Sequence, residues 1–126
     1  MKTYLSLSLL LLFLLNSCQD SSLDWEIQTV QGPISTEALG KTLIHEHILV
    51  DFIGADSTGY HRWDRAEVVE RVLPYLQEIK ALGFESLVEC TPAYLGRDPQ
   101  LLKTLSEESG LNILTNTGYY GAQNNK

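Results

Sequence analysis

Thr42-Leu43-Ile44-His45-Glu46-His47-Ile48-Leu49-Val50 is the stretch on which the fold of this chain turns. Its Leu, Ile and Val content predicts a strand over 42–50. A Gly-containing loop from Asp51 to Trp63 follows. Beyond it, Val68, Val69, Val72, Leu73, Leu76, Ile79 and Leu82 recur at helical spacing. Asp64 and Glu67 form a capping box ahead of that helix, and Gly83 supplies its left-handed stop. Pro74 predicts a kink, because it removes a backbone donor and crowds the carbonyl of Glu70. Phe84 to Cys90 reads as the next strand. Asp98 then caps a second helix with Pro99 at its first position, Leu101, Leu102 and Leu105 give it an apolar stripe, and Gly110 ends it. Leu111 to Thr117 is a further strand. Strands alternating with helices demand a parallel sheet joined by right-handed crossovers.

Toward the N-terminus, Trp25 to Val30 alternates as a strand, Gly32-Pro33 reads as a turn, and Ser35 to Gly40 as one capped helical turn. Earlier still, Met1 to Tyr4 is a short cationic start and Leu5 to Leu15 is apolar except for Ser6 and Ser8. Asn16 stops this run well short of the roughly 20 residues a spanning helix needs, so residues 1–17 read as a signal peptide. Leu15-Asn16-Ser17-Cys18 resembles the bacterial lipobox, which makes Cys18 the expected first mature residue and a lipidation site. Residues 18–24 then serve as a tether, and 25–126 as the globular part. Lipidation implies a membrane anchor in the bacterial cell envelope, at the periplasm or outer membrane.

The 126 residues are 44% hydrophobic and 20% charged, ordinary globular usage. Nine Lys and Arg against sixteen Asp and Glu give a net charge of −7, which argues against nucleic acid as a partner. Two cysteines build no disulfide framework, and Cys90 reads as a small apolar strand residue.

His45 and His47 carry the clearest chemistry. Alternation in a strand puts both imidazoles on one face, their Cα atoms roughly 6.6 Å apart, where they can converge on a metal ion. Parallel α/β sheets build their sites at the C-terminal strand edge, where this pair stands. Both rings can equally be core histidines bonded to neighbours, and two ligands fall short of the usual three of a catalytic zinc. Glu46 points to the opposite face and reads as a structural hydrogen-bond partner. His61 reads as an exposed loop residue, Glu89 as an ion-pair partner of Arg97 or a support for the site, and Arg97-Asp98 as loop order and helix capping.

Thr42-Leu43-Ile44-His45-Glu46-His47-Ile48, Leu95-Gly96-Arg97-Asp98 and Thr117-Gly118-Tyr119-Tyr120 together resemble the phosphotriesterase family of the amidohydrolase superfamily. The resemblance runs from about Ile27 to Gly121 and includes Gly32-Pro33-Ile34. It implies a (β/α)8 TIM barrel holding two divalent metal ions, usually Zn2+, bridged by a hydroxide that attacks an ester-type bond of a lactone, an organophosphate or a related ester. His45 and His47 match the family's first-strand ligand pair. Tyr120 matches a lactonase tyrosine that contacts substrate, or else packs the barrel rim. Related barrels often dimerise, so a homodimer is part of the same expectation. An eight-stranded barrel takes about 250 residues, and the family's remaining ligands sit on later strands. The chain is therefore expected to represent the N-terminal part of such an enzyme, with a catalytically inactive truncated product or a binding subunit as the competing reading.

Overall fold

The computed structural model describes residues 25–120; the expected signal peptide, Cys18 and the tether up to Asp24 lie outside them. The first element is an antiparallel hairpin of β1 (Glu26–Thr29) and β2 (Gly32–Ser35). Its turn is Val30-Gln31, not Gly32-Pro33, which lie inside β2 paired with Thr29 and Gln28. The Thr29 hydroxyl accounts for this placement, accepting from Gln31 N–H and donating to the Gly32 carbonyl across the turn. A single 3-10 turn over Thr36–Leu39 follows, ended by Gly40 at φ 56°.

Three parallel strands form the main sheet in the order β3 (Thr42–Glu46), β4 (Ser86–Glu89) and β5 (Asn112–Thr115). Helix α1 (Arg65–Ala81) connects β3 to β4, and α2 (Pro99–Ser109) connects β4 to β5. The caps follow the residues that announced them. Asp64 accepts from the N–H groups of Ala66 and Glu67, Asp98 from that of Leu101, and Gly110 closes α2 at φ 71°. Helix α1 runs unbroken through Pro74, whose exposed position lets solvent serve the carbonyl left without a donor. Among the described residues no helix is long and apolar enough to cross a membrane.

Leu87 and Ile113 on one sheet face pack with Leu76, Leu101, Leu102, Leu105 and Leu111 into the core, all nearly or fully buried. The hairpin joins this layer at the free edge of β5. Val30 N–H donates to the Ile113 carbonyl at 2.9 Å, and the Gln31 side-chain amide donates to Ser106 Oγ. The opposite face is open, with Ile44 77% exposed. The described residues thus form three consecutive parallel strands of a β/α barrel and the two helices that join them, without a closed sheet.

Strand β3 departs from the sequence expectation in two ways. It stops at Glu46 rather than Val50, because Ile48 and Leu49 leave the ladder and pack as loop residues against the core. It also carries an irregularity: Leu43 pairs with Leu87 and Glu46 with Glu89, so two residues of β3 face one of β4.

Candidate metal centre

That extra residue decides where the histidines point. Partners in a parallel ladder share a face, so Leu43 lies with Leu87 on the helix-covered side. Strict alternation would carry His45 and His47 to the same side. The bulge resets the phase: Glu46 takes the face of Glu89, and its two neighbours turn to the open face. His45 and His47 are accordingly exposed, their ring centroids 5.4 Å apart in an edge-to-face arrangement with an interplanar angle of 71°. The two rings do share a face, as their spacing suggested, though through a bulge and with His47 just past the strand end.

His47 Nδ1 stands 2.9 Å from the hydroxyl of Thr91, a fully buried residue in the loop after β4. A ring held through Nδ1 presents Nε2 as its ligating nitrogen. Among the described residues no cluster of three His, Cys, Asp or Glu stands ready for a metal. The donor set therefore suits a divalent ion as two of its ligands, with the remaining positions to be filled from elsewhere.

The loops that leave the three strands at this edge are tied together tightly. Arg97 donates to the carbonyls of Asn116 and Gly118, so the expected ion pair with Glu89 is replaced by a bridge from the β4 loop to the end of β5. Glu89 is instead held by N–H groups of Ile48 and Thr91. Asp98 receives Trp63 Nε1–H at 3.0 Å and Arg65 through Nε and one terminal nitrogen at 2.7 and 3.1 Å. Burial works against charge on Asp98, but these donors, the Leu101 N–H and the Arg65 charge outweigh it and hold the carboxyl below its usual range. Arg62 does the same for Asp51, joined by the Thr58 hydroxyl and the Ile53 N–H, against a smaller opposing effect of desolvation. His61 is exposed in a 3-10 turn over Tyr60–Arg62. Cys90 is half-buried at the end of β4, its thiol directed at the carbonyls of Ile44 and Val88.

Above the edge lies an aromatic rim. Tyr94 and Tyr119 rings approach to 5.7 Å, the Tyr120 N–H donates to the Ala93 carbonyl, and the side chain of Tyr120 is exposed. Phe52 and Ile53, in the loop after β3, are exposed as well. A cavity of about 220 Å3 opens between the loops after β3 and β4, lined by Tyr60, Trp63, Tyr94, Arg97 and Pro99 among others. Sequence reasoning missed Thr91 and the Trp63–Asp98–Arg65 group. Thr91 had a signal, its place directly after a strand that neighbours the histidine strand.

Parallel β/α units, with two imidazoles at the C-terminal end of β3, define a β/α-barrel protein. The chain belongs to the phosphotriesterase family, whose model matches residues 25–124. It is 30% identical over 127 residues to the N-acetyltaurine hydrolase of Xenopus tropicalis, covering 79% of this chain and 36% of that protein. It also superposes on the organophosphorus hydrolase of Deinococcus radiodurans with a TM-score of 0.66 and 33% identity, over 74% of this chain and 28% of the other. A solved structure described as organophosphate hydrolysis activity engineered from a weak promiscuous lactonase template gives a TM-score of 0.67 at 33% identity, over 75% and 30%. The chain spans about a third of the length of the relatives it matches.

Proposed function

We propose that this chain carries the first part of the metal site of a hydrolase that cleaves ester-type bonds, with His45 and His47 as two ligands of a divalent ion, Zn2+ in the leading case. The observation behind this reading is the bulge-directed pair of imidazoles on the open face at the C-terminal edge. Held by His45 and His47 together with ligands from elsewhere, a divalent ion would supply Lewis acidity that activates water and polarises the oxygen of the bond under attack. The chain's own residues do the rest. His45 and His47 hold position, Thr91 fixes one ring, and the rim of Phe52, Ile53, Tyr94, Tyr119 and Tyr120 offers apolar contact to a small substrate.

The similar proteins span an organophosphorus hydrolase, a lactonase template and an N-acetyltaurine hydrolase. Among these a lactone is the leading case, on the resemblance of Tyr120, exposed at the same edge, to a lactonase tyrosine. Replacing Tyr120 by Phe in the active enzyme should then reduce lactone turnover more than phosphotriester turnover. Equal losses would reduce Tyr120 to a packing residue. For the metal, the purified chain should bind zinc in a way that His45→Ala and His47→Ala each abolish. Zinc uptake unchanged in both variants would sink the ligand assignment.

A second reading is favoured by the donor count: with two histidines and no third ligand grouped beside them among the described residues, the chain is a catalytically silent binding subunit. Zinc-loaded chain that turns over neither lactones nor phosphotriesters would support it. We also propose that the protein is held in the cell envelope by acylated Cys18; intact-mass analysis of membrane-extracted protein should find the lipid there. A mature N-terminus at any other residue would refute the anchor. A homodimer, the family's habit, is checked by sedimentation.

A further inference from the structure

The β3–β4 ladder ends just short of the second histidine. Its last backbone rung is the Cys90 N–H donating to the Glu46 carbonyl at 2.8 Å, and His47 lies past the end of β3. Some other group must hold it. The side chain of Glu89, 1% exposed, takes over where the ladder stops. Oε1 accepts from the Ile48 N–H at 3.4 Å, and Oε2 accepts from the Thr91 N–H at 3.2 Å with the Thr115 hydroxyl at 3.5 Å. One carboxylate thus grips the residue after His47 and the residue whose hydroxyl meets the His47 ring.

A carboxylate on the helix-covered face, one pleat from Leu87, is an expensive choice where an aliphatic residue would pack. Two backbone N–H groups and a hydroxyl satisfy it, so the chain holds a buried acid without an adjacent Lys or Arg among its hydrogen-bond partners. Loop anchoring alone would fix the backbone. The direct contact of Thr91 with His47 Nδ1 adds control of the ring.

We propose that Glu89 and Thr91 are positioning residues for His47, an inference that rests on the metal reading of the histidine pair. Glu89 fixes the backbone on both sides of the contact. Thr91 accepts a hydrogen bond from Nδ1–H, which selects the tautomer whose Nε2 lone pair is available to a metal.

The test uses the full chain labelled with 15N-histidine, metal-free, at about pH 8. The ring nitrogen shifts of His47 should report the Nδ1–H tautomer in the parent chain. Thr91→Val should lose that preference and Thr91→Ser should restore it. A tautomer unmoved by Thr91→Val, or an Nε2–H tautomer in the parent, overturns the Thr91 role. Zinc titration followed by the same signals then tests Glu89. Glu89→Gln should weaken binding about 10- to 100-fold, the usual effect of losing a group that supports a ligand. Parent-like affinity in a folded Glu89→Gln chain overturns its role. Should that variant not fold, Glu89→Asp, which keeps the charge but shortens its reach, should lower affinity in the same direction, and parent-like affinity there overturns it equally. If zinc leaves the parent signals of both histidines unmoved, the metal reading fails, while the tautomer result still stands or falls by itself.

Discussion

The two faces of the β3–β4–β5 sheet are built from different materials. One face presents Leu87 and Ile113 to a layer of leucines from α1 and α2 and is sealed. The other carries Ile44, His45 and His47, all exposed. The sealed face holds the fold together; the open face can afford residues chosen for chemistry. Glu89 is the exception that links them, a buried acid on the sealed face whose partners reach the open one.

This contrast can be broken by mutation. The largest effect is expected on the sealed face, where Leu105→Ala in a fully buried site should destabilise the chain by about 3–4 kcal/mol in a denaturant melt. A loss under about 1 kcal/mol would mean that the core is looser than its burial implies. Next comes Gly96, at φ 117° with its absent Cβ pointing at the Leu49 carbonyl 2.9 Å away. Gly96→Ala should lower stability by about 1–3 kcal/mol, since the close neighbour is backbone and cannot swing aside.

Asp98→Asn keeps the helix cap but removes the charge from the Arg65 and Trp63 contacts, and should lose about 1–3 kcal/mol at neutral pH. The sign of its pH dependence follows from the lowered native value. As pH falls, the unfolded chain binds the proton first, so the contribution is whole above about pH 4 and disappears as pH drops through the native value. The Asn variant should show a shallower acid limb in melts run across that range. An unchanged limb would remove Asp98 from the account of acid stability. The smallest effect belongs to the open face: Ile44→Thr should change stability by no more than about 0.5 kcal/mol. A loss several times larger would show that this face is covered in solution.

Much of the fold was legible because its signals are local. Asp64, Asp98-Pro99 and Gly110 mark helix ends by chemistry that acts within one turn, and the structure places the helices there. What escaped depends on contacts across the sequence. The hairpin turn was misplaced because Gly32-Pro33 has turn composition, whereas the Thr29 hydroxyl organises the reversal two residues earlier. The end of β3 was misplaced because Ile48 and Leu49 are apolar in a strand and equally apolar in a loop that packs on the core. Arg97 was paired with Glu89 by charge alone, but two carbonyls at the end of β5 claim it. As for the site, the histidine spacing put both rings on one face, while no residue type marks the bulge that turns the pair outward.

That bulge gives the region a tolerance of length that composition does not reveal. A substitution at Ile44 alters one side chain on an exposed surface. Removing Ile44 altogether would leave His45 opposite Val88 and Glu46 still opposite Glu89, so every side chain beyond the deletion would keep its face. Both imidazoles would then stay on the open face and Glu46 on the covered one, so a loss of three nucleotides at the bulge would straighten the strand without turning the pair.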